Sequence, residues 1–279
     1  MIGVLLAGAS SALREVSDSI GKKEVQDRVV SYYTFGFLNL LFGTSFLIAY
    51  GFLFHDLVFT VASLPTFLPR VCLEILQAHL TVLAVTTADR GNFGFVKTLT
   101  IPLLLGADIV LGYAVSGMQM LGIGIILAAV LFLVITEGRH MKGRWFLIAS
   151  AVNAAITLSL FKYDITNFNS VAAEQSIIMS ILMLYFFLCA FIICRENPFA
   201  FLRRRIFVVQ TTSSGLSEAL SSFAYSFAPA AVITTGLRAT AILFAMLSGK
   251  LYFHEKGFLL KVGLFCLIVL GLIFLALGS

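Results

Sequence analysis

Long apolar windows joined by short polar stretches recur along the whole chain. A helical bilayer crossing takes about 20 mostly apolar residues. Windows of that kind lie at 2–21, 29–54, 65–88, 92–113, 117–136, 145–161, 174–194, 205–227, 229–252 and 257–277. The first and eighth carry the most polar residues. A membrane β-barrel would show short segments alternating between apolar and polar, whereas the runs Gly122 to Ile135 and Leu259 to Leu277 do not alternate. The pattern therefore predicts an all-α, polytopic membrane protein of about ten transmembrane helices.

Polar residues inside these windows are not scattered. Positions three, four and seven apart share a helix face, and six windows carry a polar stripe at that spacing. Ser10, Arg14, Ser17 and Asp18 align in the first, and Arg70, Glu74, Gln77 and Thr81 in the third. Lys97, Thr100 and Asp108 share a face of the fourth, and Asn153 and Thr157 of the sixth. The eighth holds the longest stripe, with Thr211, Ser214, Glu218, Ser221, Ser222 and Tyr225, and the ninth carries Thr234, Arg238 and Lys250. Windows two, five, seven and ten have nothing comparable. Spans one, three, four, six, eight and nine are thus expected around a polar cavity, with the other four as lipid-facing scaffold.

Ionisable residues at membrane depth cost about 2.5–3.5 kcal/mol each on insertion scales and so face a bundle interior or a wet cavity. Arg14 with Asp18, and Arg70 with Glu74, have the i,i+4 spacing of self-neutralising pairs. Glu74, Lys97, Glu218 and Arg238 lie deepest and are the leading functional candidates. Gln77, Asn153 and Tyr225 join them as polar candidates for contact with a small molecule. A purely structural alternative pairs Lys97 and Arg238 with Glu74 and Glu218, leaving an empty cavity neutral.

Composition agrees with the pattern. Of 279 residues, 59% are hydrophobic and 12% charged, and the mean hydropathy is +1.00, too apolar for a water-soluble domain of this length. The net charge of +5 is modest and gives no reason to expect a nucleic-acid partner. The first window has no basic start, and Arg14, Glu15 and Asp18 interrupt it, so it is expected to be retained rather than cleaved. The four cysteines fall in apolar windows without metal or redox spacing and read as small buried hydrophobes. No pair among the histidines has ligand spacing, and no phosphate-binding G-x-x-x-x-G-K-[ST] run occurs. No cofactor is expected. Neither an H-E-x-x-H run nor a serine with a nearby histidine argues for a membrane enzyme.

The charge-rich stretch from Glu137 to Arg144 falls at the middle of the chain, with five windows on either side. It divides the chain into 1–138 and 139–279. Because five is odd, the second set must enter the bilayer in the opposite sense, as in transporters built from inverted repeats with a site between the repeats. One common register matches Lys97 with Arg238, Ile101 with Ile242, Gly122 with Gly263 and Leu131 with Leu272. Basic residues concentrate in the loops after odd-numbered spans, which on the positive-inside rule would leave both termini outside the cytoplasm.

The run from Gly236 to Glu255, followed by a short loop and a last span containing Gly263, resembles the EamA-like transporters of the drug/metabolite transporter superfamily. Gly249, Phe253 and Glu255 occupy the positions of a G-x-x-x-F-x-E pattern. Ala114 stands where the first repeat would carry the acidic residue. The resemblance implies ten helices as two inverted five-helix repeats, with the same six spans around a central cavity. It also implies both termini in the cytoplasm, opposite to the charge count, so orientation is left open. Relatives that carry phosphorylated sugars have basic residues in spans four and nine, where Lys97 and Arg238 lie.

The expected function is secondary transport of a small metabolite, anionic if Lys97 and Arg238 hold it, through a multi-pass protein of the cell membrane. Glu74 and Glu218 are the candidates for proton coupling. The bilayer and the substrate are the expected partners, and the oligomeric state is left open, a monomer being compatible with the pattern. A lipid-carrier flippase or a multidrug exporter of the same superfamily is the alternative, ahead of a membrane enzyme.

Overall fold

The computed structural model describes residues 2–54, 56–104, 116–137, 142–224 and 230–277. Every regular element among them is helical. The helices are α1 (Ile2–Gln26), α2 (Tyr32–Leu53), α3 (Leu64–Thr87), α4 (Arg90–Lys97), α5 (Gly117–Glu137), α6 (Arg144–Asn167), α7 (Val171–Ile192), α8 (Arg205–Ala224), α9 (Ala230–Leu251) and α10 (Phe258–Leu277), with single turns at Val61–Ser63 and Pro198–Phe201. Five segments among the described residues are long and apolar enough to cross a bilayer: α2, Val61–Thr87, Gly117–Thr136, α6 and α7. The protein is thus all-α with the build of a membrane protein. Large apolar side chains such as Leu5, Phe52, Leu121, Phe191 and Leu259 stand exposed around it, a surface suited to lipid and not to water.

Local chemistry sets the helix ends. Ser31 caps α2 by accepting from the Thr34 amide, and Ser170 caps α7 by accepting from the Ala173 amide. The fourth window does not run through as one helix. Pro102 has no N–H to give the Thr98 carbonyl, so the Ile101 amide takes that carbonyl at 3.0 Å in a tighter turn. The helix breaks just after Lys97, and residues 105–115, including Asp108 and Ala114, lie outside the described residues.

Packing runs between distant parts of the sequence. α1 lies along α8 and α9, α3 along α6, α2 between α7 and α8, α4 against α9, and α5 against α10. Exchanging the first five helices with the last five leaves α2–α7, α4–α9 and α5–α10 unchanged and turns α1–α8 into α6–α3. Ile126, Ala129 and Leu133 of α5 interlock with Leu264, Ile268 and Leu272 of α10 in the main core. The two helices approach so closely that a Cβ on Gly271 would sit 2.9 Å from the Gly122 carbonyl oxygen. α4 and α9 meet at small residues, where a Cβ on Gly94 would come within 3.3 Å of the Ile242 Cα. The cysteines depart from their expected burial. Cys72 and Cys266 are exposed, because they fall on the outward faces of α3 and α10, and Cys189 and Cys194 are half-buried.

Candidate functional site

Where α1, α4, α8 and α9 converge they leave a cavity of about 290 Å³. Its charged lining is Arg14, Glu15, Asp18, Arg90, Lys97, Glu218 and Arg238. Among the described residues, four cations therefore face three carboxylates. Ser10, Ser11, Ser217, Ser221 and Thr98 supply hydroxyls, and Phe93 an aromatic wall. A smaller void of about 20 Å³ adjoins it through Lys97 and Phe93 and is lined further by Gln77 of α3 and Leu147, Ser150, Ala151 and Ala154 of α6. The six helices whose sequences carry polar stripes are those that line the two spaces.

The floor of the cavity is an ionic cluster that is nearly dry. Arg90 is 1% exposed and donates from Nε and Nη2 to both carboxylate oxygens of Glu15, at 2.9 and 2.7 Å, and from Nη2 to Asp18 at 3.0 Å. Ser248 of α9 also donates to Glu15. Below these, the Glu255 carboxylate accepts from the backbone amides of Arg90 and Gly91, while Lys261 and Lys22 lie 3.2 and 3.8 Å from it. Asp89, at the N-cap position of α4, makes no side-chain capping bond, so Glu255 supplies the negative charge at that helix start.

The G-x-x-x-F-x-E run thereby acquires a physical account. A Cβ on Gly249 would sit 2.5 Å from a Glu255 carboxylate oxygen, so the glycine makes room for the acid. The Phe253 ring lies 4.3 Å beneath the Lys22 ammonium. His254 at φ 54° and Gly257 at φ 74° fold the chain after α9 so that Glu255 turns back onto α4. Only glycine adopts such a backbone readily, which makes His254 a locally strained position.

The wall above the floor differs. Arg14 of α1 reaches Glu218 of α8 at 2.5 Å with side-chain exposures of 38% and 31%, and its other terminal nitrogen donates to Ser214 at 3.2 Å. Lys97 is exposed to the cavity, with its ammonium 5.3 Å from the Phe93 ring centre. No carboxylate stands within ion-pairing distance of it among the described residues. Arg238 completes the cationic lining from α9.

Lys97, Glu218 and Arg238 thus come together in one cavity. Glu74, Gln77 and Asn153 do not join it directly, because they lie in the seam between α3 and α6. Asn153 donates to the Leu73 carbonyl and the Gln77 side chain at 2.8 and 3.0 Å, and Gln77 donates to Ser150 and Thr81 at 2.9 and 3.0 Å. Gln77 reaches the cavity only through the smaller void beside Lys97. Tyr225 lies outside the described residues.

Two pairings differ from expectation. Arg14 and Asp18 do not neutralise each other, because α8 brings Glu218 to the arginine and α4 brings Arg90 to the aspartate. Glu74 does not reach Lys97. It stays 3.6 Å from Arg70, which is buried against Glu174 of α7 and stacked 4.5 Å over Phe161. Glu15, Arg90, Glu174 and Glu255 are the important charges that stripe reasoning passed over. Each sits at a helix end or off its helix's polar stripe, and apart from Glu255, which the G-x-x-x-F-x-E pattern marks, only a partner on another helix reveals it.

Among the described residues no group of three or more His, Cys, Asp or Glu side chains is arranged to hold a metal ion. No family model matches the chain, and no curated protein matches it in sequence.

Proposed function

We propose that this chain is a secondary transporter that carries a small anionic metabolite across the cell membrane by alternating access through the cavity between α1, α4, α8 and α9. The observation that carries the reading is the charge imbalance of that cavity. Among the described residues, four cations face three carboxylates in its lining, two of those carboxylates are held by Arg90 in the floor, and Lys97 stands exposed with no carboxylate beside it. Positive charge at membrane depth is costly, and an anion that enters, accepts charge-assisted hydrogen bonds and leaves again offsets that cost transiently.

We read residues 1–138 and 139–279 as two five-helix repeats of opposite orientation, in the manner of the EamA-like transporters. Two features support this. When the two sets of five are exchanged, the main pairs α2–α7, α4–α9 and α5–α10 map onto themselves and α1–α8 onto α6–α3. Lys97 and Arg238, which correspond under that exchange, line the same cavity.

The test is binding and flux with a fixed panel: inorganic sulfate, benzenesulfonate and succinate against tetramethylammonium. The anions should stabilise the purified protein against heat, as a ligand specific for the folded state does, and should enter vesicles containing it. Lys97→Gln and Arg238→Gln should each weaken anion binding by about ten- to a hundredfold, the worth of a hydrogen bond to a charged group. Stabilisation by the cation alone, or unchanged anion flux in both variants, would overturn the anion reading.

A further inference from the structure

Glu218 is set apart from the other carboxylates of the cavity. Glu15 and Asp18 are committed to Arg90 in the buried floor. Glu218 lies in the wall, about a third exposed, 2.5 Å from Arg14. The charged groups around it come from three helices: Arg14, Glu15 and Asp18 on α1, Arg90 and Lys97 on α4 and Arg238 on α9, all in the lining of one cavity. α2 meets it at Gly43 and brings no titratable group there. Glu218 and an entering anion therefore compete for the same positive charge.

Arg14 is suited to change partners and Arg90 is not. The Arg14–Glu218 pair keeps about a third of its side-chain surface accessible, so little is lost when Arg14 leaves Glu218. Removing Arg90 from its two carboxylates would strand buried charge at a much greater cost. Arg14 is also held in reach by Ser214, which itself donates to the Asn39 carbonyl at 2.8 Å.

We infer that Glu218 is the proton-coupling carboxylate of this cavity, and that its neutralisation by a proton releases Arg14 to bind the anionic substrate. The inference rests on the anion-binding reading above. A proton from the surrounding water forms an O–H bond on the Glu218 carboxylate. The ion pair with Arg14 is lost, and the freed guanidinium donates its N–H groups to the anion. Proton and anion then bind together and leave together. Coupling of this kind is reciprocal, so each strengthens the binding of the other by the same factor. Glu74 is not placed for this role, since it lies in the α3–α6 seam beside Arg70.

The experiment is calorimetric titration of the purified protein with benzenesulfonate, the anion of a strong acid, whose charge stays constant from about pH 4 to 8, the range in which carboxylates and histidines titrate. Affinity should rise as pH falls, by at most about tenfold per pH unit, the limit for one linked proton. Repeating the titration in buffers of different ionisation heat should reveal uptake of up to one proton per anion bound. Glu218→Gln should bind at every pH as the unaltered protein does at its acid limit. A pH-independent affinity without proton uptake, or a Glu218→Gln protein that keeps the pH slope, would overturn the inference and leave the anion site standing. If Glu218→Gln does not fold, proton uptake by the unaltered protein decides alone. Failure of benzenesulfonate, sulfate and succinate all to bind would instead overturn the anion reading.

Discussion

The floor and the wall of the cavity are built from the same residue types and behave differently. In the floor, Arg90, Lys22 and Lys261 face Glu15, Asp18 and Glu255, and these side chains are almost wholly withdrawn from water. In the wall, Arg14, Lys97 and Arg238 surround Glu218, and Arg14, Glu218 and Lys97 keep accessible surface. A dry and balanced cluster ties α1, α4, α9 and α10 together. A wetter, positively charged one has charge to offer a ligand. Charge type alone does not mark a ligand-binding residue in a membrane protein; the degree of burial and the balance of partners do.

The sharpest way to break this contrast is Arg90→Gln. It strands Glu15 and Asp18 in a dry site, and loss of one partner from a buried ion pair costs about 3–5 kcal/mol. A large fall in melting temperature in detergent is expected. Adding Glu15→Gln and Asp18→Asn to the same protein should recover part of it, because the stranded charges are then gone. A floor that tolerates Arg90→Gln alone would place it with the wall.

Next in size is Gly249→Ala. The added methyl collides with the Glu255 carboxylate and overpacks a tight site, for about 1–3 kcal/mol. The loss should shrink when Glu255→Ala is introduced in the same chain, a non-additivity that double-mutant cycles detect. Additive effects would separate the glycine from the acid.

The smallest effect is expected from Lys97→Gln on stability. Its exposed side chain makes no ion pair among the described residues, so the melting temperature should shift by no more than about 0.5 kcal/mol equivalent, against the large loss of anion binding set out above. Stability loss on the scale of Arg90→Gln would make Lys97 a structural residue.

Much of this was legible from periodicity. Ser10, Arg14 and Asp18 share a helix face whatever the rest of the chain does, and so do Ser214, Glu218 and Ser221. The break after Lys97 departs from the single span that the fourth window predicts, and its signal in the sequence is Pro102, which cannot donate to the Thr98 carbonyl. The partner of Arg14 was not legible. Spacing offers Asp18 one turn away, and nothing local says that α8 will carry Glu218 to 2.5 Å. Glu74 and Lys97 looked alike in sequence, each a charge on a polar stripe. They part because α7 brings Glu174 to the Arg70–Glu74 pair, whereas α9 brings another cation, Arg238, to Lys97.

The sequence by itself determined that the chain is helical, that it suits a bilayer, and which face of each helix is polar. Those properties depend on apolar length and on the 3.6-residue turn, both local. Tertiary structure alone decided which charges cancel. An ion pair forms between side chains a few ångströms apart, and here the pairs join residues such as Arg14 and Glu218, or Arg90 and Glu15, from distant parts of the chain. That three-dimensional pairing is what leaves Lys97 exposed in the cavity and buries Arg90 beneath it.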